Sequence, residues 1–249
     1  MDKHYLTPLF TPESVVVFAG PTEDVSAQTP QARALIASLT AQEFKGELRF
    51  LDITTTGTLA DLAQSRADLA IIALPPKDVG AALEIAGRMA CRTALVISSG
   101  ITAEHANELK KIARREGVHL LGPNCLGLQR PQLGLNASAA GALARRGSLA
   151  LVSQSGALTS SMLDWAANNG VGFSSVVSLG PHTGVDIAEV LDFLANDAQT
   201  HSIVVYLEGI SSAKRFMSAL RMAANAKPVV VLKAGRKPAG NLAAQTHSG

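Results

Sequence analysis

The stretch Leu149-Ala150-Leu151-Val152-Ser153-Gln154-Ser155-Gly156-Ala157-Leu158 decides the fold. A short apolar run ends in a small polar turn and passes directly into helix-forming residues, which is the opening of a βα unit. The first N–H groups of that helix, together with the Ser153 and Ser155 hydroxyls, are expected to face one point that suits an anion. A plain serine N-cap fits the same residues. A serine-hydrolase elbow is disfavoured, because Ser153 and Ala157 stand where its two glycines belong around Ser155.

The same alternation runs to both sides. Downstream, strands are expected at Phe173–Ser178, Ile203–Leu207 and Pro228–Leu232, with helices near Ala157–Asn169, Asp186–Asn196 and Ala213–Ala226. Upstream, strands are expected at Ser14–Ala19, Glu47–Asp52, Leu69–Leu74, Thr93–Ile97 and His119–Leu121. Helical spacing lies between them at Gln31–Gln42, Val79–Ala90 and Ala103–Glu116, the last with Lys110, Lys111, Arg114 and Arg115 directed largely outward. Strand–helix alternation implies parallel sheets with right-handed crossovers. The Gly-, Ala- and Asn-rich stretch 131–146 has no strong period and reads as a linker. The expected architecture is α/β, with two doubly wound domains over 1–130 and 147–249.

Composition agrees. Of 249 residues 47% are hydrophobic and only 4% aromatic, so the core must be aliphatic, as in helix-covered parallel sheets. A net charge of +2 without a basic stripe argues against a nucleic-acid partner. Two cysteines, Cys91 and Cys125, do not make a disulfide framework. No apolar run is long enough for a membrane span, and no signal peptide is evident, so a soluble cytoplasmic protein is expected. The closing run Gln245-Thr246-His247-Ser248-Gly249 reads as the approach to a helix, as in one piece of a longer polypeptide.

Ligands of open α/β sheets sit at the carboxyl ends of the strands, and other candidate motifs fall there. Leu121-Gly122-Pro123-Asn124-Cys125 offers an amide beyond a strand, or simply a closing turn; Cys125 is either a reactive thiol or a small buried residue. Glu208 follows the apolar run Ile203–Leu207, and with His247 it could form a carboxylate-oriented imidazole; each alone reads as a surface residue. Lys233 and Arg236 either hold phosphate or are solvated. The turn Ala19-Gly20-Pro21-Thr22-Glu23-Asp24 has one glycine and two acids, so a nicotinamide-dependent oxidoreductase is a weak alternative. The six histidines lack metal-ligand spacing, and no metal is implied.

Taken together, Phe10-Thr11-Pro12-Glu13-Ser14-Val15, Leu121 through Gly127, Gly134-Leu135-Asn136-Ala137, Ser153 through Leu158, Leu163-Asp164-Trp165-Ala166, Ser178-Leu179-Gly180 and Lys227-Pro228-Val229 through Gly235-Arg236 resemble the NDP-forming acyl-CoA synthetases, relatives of the succinyl-CoA synthetase α subunit. The same module resembles the front of Pat-type bacterial protein lysine acetyltransferases. The resemblance implies a Rossmann-like CoA-binding domain followed by a flavodoxin-like ligase domain. It implies that His247 carries phosphate, that Glu208 orients it, and that Ser153, Gln154, Ser155 and Gly156 hold the phosphoryl group. It places Ala19, Gly20, Pro75, Ser98, Asn124 and Cys125 along coenzyme A or its acyl group. It further implies ATP or ADP with Mg on an ATP-grasp domain or subunit outside this chain. The alternative it carries is an acyl-CoA-sensing module joined to a GNAT domain. The match departs at Ala19–Asp24, at Leu51-Asp52-Ile53 and at Pro181-His182-Thr183-Gly184.

Overall fold

The computed structural model describes residues 4–21, 26, 28–53, 65–181 and 183–235. The first sheet holds five parallel strands, β1 (Ser14–Phe18), β2 (Glu47–Phe50), β3 (Leu69–Ile72), β4 (Thr93–Val96) and β5 (His119–Leu121), in the order β2-β1-β3-β4-β5. Its helices are α2 (Pro30–Thr40), α3 (Pro76–Arg88) and α4 (Ala103–Arg115). Strands β3 and β4 are buried at every position, as expected of strands covered on both faces. Helices α2 and α4 begin at Thr29 and Thr102, whose hydroxyls accept the N–H of Ala32 and His105.

The second sheet follows the order β11-β10-β8-β9-β6-β7. Its parallel part is β8 (Arg146–Ser153), β9 (Phe173–Ser178), β10 (Ser202–Leu207) and β11 (Val229–Lys233), connected through α5 (Gly156–Asn168), α6 (Ile187–Asn196) and α7 (Ala213–Ala226). Helix α6 starts in a capping box between Asp186 and Glu189. The four parallel strands and their helices lie where the sequence places them, with ends shifted by a few residues.

The segment 131–146 is not a linker. Strand β6 (Gly127–Arg130) pairs antiparallel with β9, a 3-10 turn covers Pro131–Leu133, and β7 (Leu135–Ser138) pairs antiparallel with β6. The second sheet therefore begins at Gly127. The hairpin lacks apolar alternation because polar side chains fill its interior and satisfy one another. Gln129 donates to Ser138 at 3.1 Å and accepts from the Ala144 N–H at 3.0 Å, while Ser138 donates to Asn136 at 2.7 Å. A second unforeseen element is the short helix α1 (Thr7–Phe10), whose Phe10 ring stacks on Phe193 of α6 at 4.1 Å.

One apolar cluster runs continuously from Leu6, Val15, Ile71 and Leu95 of the first half to Val152, Leu191 and Ile203 of the second, so the two sheets share a core. Close to it lies a buried ion pair, Arg130 to Asp197 at 2.9 Å, with Arg130 also bonded to Ser175 and Thr200 bonded to Asp197. Burial alone would raise the Asp197 pKa, but the Arg130 hydrogen bond and charge, with Thr200 and the Gln199 N–H, outweigh it and hold the carboxyl below its ordinary value of 3.8. Its stabilising contribution is therefore complete at neutral pH and is lost as pH falls below 3.8 through the lower folded-state value. Arg130→Met should cost about 3–5 kcal/mol in denaturant unfolding, because it strands a buried carboxylate. Asp197→Asn should flatten the stability profile in that acid range.

Candidate functional site

Both sheets have their switch points at carboxyl edges. In the second sheet the chain leaves β8 toward β9 on one side and returns to β10 and β11 on the other, which opens a crevice between the ends of β8 and β10. Ser155 caps α5, accepting the Leu158 N–H at 3.4 Å. Ser153, expected to face the same point, is fully buried. Its hydroxyl donates to the Ser155 carbonyl at 3.0 Å and accepts the Ser155 N–H at 3.1 Å. It closes the turn instead of facing a ligand, because the end of a buried strand must satisfy its own polar groups. The Gly156 and Ala157 N–H groups, first in the helix, have no acceptor among the described residues.

Gln154 spans the crevice. Its side-chain oxygen accepts the N–H of Glu208 at 2.7 Å and of Gly209 at 3.0 Å. This amide fixes the loop that carries Glu208 against the loop that starts α5. Lys233 braces the same loop from the other side, donating to the Glu208 carbonyl at 3.0 Å. The Lys233 side chain is exposed while it makes this contact. Glu208 is half-buried and lines a cleft of about 380 Å³ together with Gln154, Gly180, Thr183, Asp186 and Lys110. His247 and Arg236 lie outside the described residues, as do Thr22, Glu23, Asp24 and His182.

At the first sheet, Ala19 and Gly20 follow β1 and Pro75 caps α3 after β3, so they flank the switch between β1 and β3. The Thr29 hydroxyl donates to the Ala73 carbonyl at 3.1 Å and ties the two sides together. Ser98, beyond β4, is 2% exposed, and its hydroxyl oxygen has no hydrogen-bond partner among the described residues. A buried orphaned hydroxyl at a strand's carboxyl end fits a ligand that supplies the missing bond. Asn124 adopts left-handed backbone at φ 55° and clamps Ile101 with both ends of its amide, at 3.2 and 2.7 Å. Its role is to hold the loop after β5 against the loop after β4. The Cys125 thiol faces the Val96 carbonyl at 3.4 Å, and burial pushes its pKa up to about 12, so it is not a nucleophile at neutral pH.

Residues 122–126 join the two edges. The Gly122 N–H donates to the Thr183 hydroxyl at 3.1 Å, and the Leu126 N–H to the Ser178 hydroxyl at 3.2 Å. A Cβ on Gly180 would overlap the Pro123 carbonyl oxygen, and one on Gly156 would lie 3.8 Å from the Leu126 Cβ. The loop with Asn124 and Cys125 thus packs against the start of α5 and the loop after β9. Sequence reasoning missed Thr183, and it gave no sign that Lys110, half-buried on α4, lines a cleft with residues of the second half of the chain.

Two doubly wound sheets that share a core and bring their carboxyl edges together define an α/β protein of two adjoining domains. The comparisons agree. Residues 42–131 match the CoA binding domain family, and residues 146–249 match the succinyl-CoA ligase like flavodoxin domain. The chain is 42% identical over 188 residues to acetate–CoA ligase [ADP-forming] I of Archaeoglobus fulgidus, covering 73% of this chain and 27% of that protein. It is 37% identical over 189 residues to the α subunit of acetate–CoA ligase [ADP-forming] I of Pyrococcus furiosus, covering 73% of this chain and 41% of that subunit. Its fold superposes on the Ca. Korarchaeum cryptofilum dinucleotide forming acetyl-coenzyme A synthetase 1, solved with phosphate and ADP, at TM-score 0.87 and 30% identity, covering 98% of this chain and 55% of that one. The chain belongs to the NDP-forming acyl-CoA synthetase family, to which the succinyl-CoA synthetase α subunit is related. It spans about a quarter to two fifths of the two curated relatives named here. Among the described residues no helix is long and apolar enough to cross a membrane.

Gln154→Ala should leave the Glu208 and Gly209 N–H groups without their acceptor, speed their hydrogen exchange, and cost about 1–2 kcal/mol of stability. Cys91 is likewise pushed up to about 12 by burial, with Asp68 adding to the shift. Both thiols should resist iodoacetamide in the native protein at neutral pH and alkylate fully in denaturant, as mass spectrometry would record.

Proposed function

We propose that this chain is the CoA-binding and phosphohistidine-carrying part of an ADP-forming acyl-CoA ligase. The observation that carries the reading is the packing of residues 122–126, from the carboxyl edge of the first sheet, against Gly180, Thr183 and the start of α5 at the edge of the second. A thioester lying along the first edge would have its acyl end beside the anion-binding turn of the second.

In the reaction, a phosphate oxygen attacks the thioester carbonyl carbon, the C–S bond breaks, and CoA leaves as its thiol. A His247 imidazole nitrogen then takes the phosphoryl group, the P–O bond to the acyl group breaks, and the carboxylate departs. Glu208 orients the imidazole and stabilises the positive charge that builds on it. The Gly156 and Ala157 N–H groups stabilise the phosphoryl oxygens, as helix N-termini do. Ser153 and Gln154 keep that turn in shape. Ser98 would hold the thioester ligand, with Gly20 and Pro75 lining its crevice and Asn124 holding the adjoining loop. An ATP-grasp domain or subunit carrying Mg with ADP or ATP supplies the nucleotide half. The relatives named above are ligases, and no observation favours the acetyltransferase-linked alternative.

Labelled ATP, supplied with the ATP-grasp partner, should place acid-labile phosphate on this chain, and His247→Ala should abolish it. Equal labelling of the variant would end the phosphocarrier assignment. Calorimetry should show CoA binding that is weakened by filling the β1/β3 crevice with Gly20→Trp; no heat from the wild type at high concentration would remove the CoA site.

A further inference from the structure

The cleft at the seam of the two sheets contains a charge that the reading above does not use. Lys110 comes from α4 of the first half, yet it lines the cleft formed by Gln154, Gly180, Thr183 and Glu208 of the second. Its ammonium has no hydrogen-bond or ion-pair partner among the described residues. On the same helix, Arg115 is engaged by Glu84 at 2.6 Å and Glu116 at 2.8 Å, so acids on this helix surface do pair where they can reach. Lys110 is turned to the other side. Desolvation by the cleft walls, with repulsion from Arg114, lowers its pKa from the ordinary lysine value.

The acids around it are already committed. Asp186 accepts the Glu189 N–H at 3.0 Å through one oxygen and meets Arg215 at 3.2 Å through the other. Glu208, which also has an interaction of its own, stands across the cleft. An unpaired ammonium on a partly desolvated wall attracts an oxyanion more strongly than one in open water. The volume, about 380 Å³, admits a phosphate or a small carboxylate with its waters.

We propose that Lys110 is the anion-holding residue of this cleft, and that its ligand is an oxyanion of the reacting acid, either phosphate or carboxylate. The assignment deepens the ligase reading and rests on it for the identity of the acid. It gives the first domain a direct part in holding a reactant of the second.

The test is an NMR titration of the full chain with inorganic phosphate and, separately, with acetate, following the Gly180 and Gly209 amides. Lys110→Met should weaken binding roughly tenfold, the order expected for loss of one charge-assisted contact, and Lys110→Arg should keep most of it. Response to phosphate alone, or to acetate alone, identifies which oxyanion the ammonium holds. Unchanged binding of both anions in Lys110→Met, or no response of the wild type to either, overturns the assignment. Calorimetry with CoA on the same samples separates the two claims. CoA binding by a wild type that ignores both anions leaves the ligase reading standing without Lys110. Anion binding that depends on Lys110 in a chain that ignores CoA would do the reverse.

Discussion

The architecture depends on backbone meeting backbone at one seam. The loop after β5 must lie so close to the loop after β9 that only glycine fits at position 180, where any Cβ would collide with the Pro123 carbonyl. Gly122 is constrained in the same way: its φ is 89°, and a Cβ there would run into the Val96 carbonyl. With no side chain at position 180 to hold the loops apart, and with the Thr183 and Ser178 hydroxyls accepting the Gly122 and Leu126 N–H groups, the carboxyl edges of two separate sheets come together. That contact turns two ordinary ligand crevices into neighbours. It also forces the chain into the second sheet at Gly127, so the core runs on without a break between the halves.

Around this seam, hydrogen-bonding groups that could have faced a ligand are used to hold shape. Ser153 closes its own turn, Gln154 fixes the Glu208 loop, Asn124 clamps Ile101, and Lys233 braces the Glu208 carbonyl. Each supports a loop by pairing a backbone group, and where that group is buried or half-buried it is costly to leave alone. Among the described residues, the groups left over at the seam are few: two helix N–H groups at Gly156 and Ala157, a buried hydroxyl at Ser98, and the Lys110 ammonium. Their positions at the edges of the sheets give the site its chemical character. A rigid frame that engages most of its polar groups internally holds the rest in fixed positions.

The βα elements were legible because short apolar runs and helical spacing are local signals. The strands Phe173–Ser178 and His119–Leu121 and the helix Ala213–Ala226 fall where the pattern puts them. The β6–β7 hairpin was not legible, since its buried side chains include Gln129, Asn136 and Ser138, which satisfy one another in the fold but look like a polar loop in the sequence. Ser155 could be read as a cap, because a cap is made with the next few residues. Ser153 could not be separated from it, because which hydroxyl points into the chain depends on strands far away in sequence.

By itself the sequence determined the two βα series, the serine cap that opens the helix after β8, and the absence of a glycine dinucleotide fingerprint. These follow from interactions within a few residues along the chain. Only the tertiary structure decided that stretch 131–146 joins the second sheet, that Gln154 holds the Glu208 loop, and that Lys110 lines a cleft with residues of the second half. Each of those is a contact between residues tens of positions apart, set by how two sheets pack, and no local pattern encodes which partner a polar group will meet.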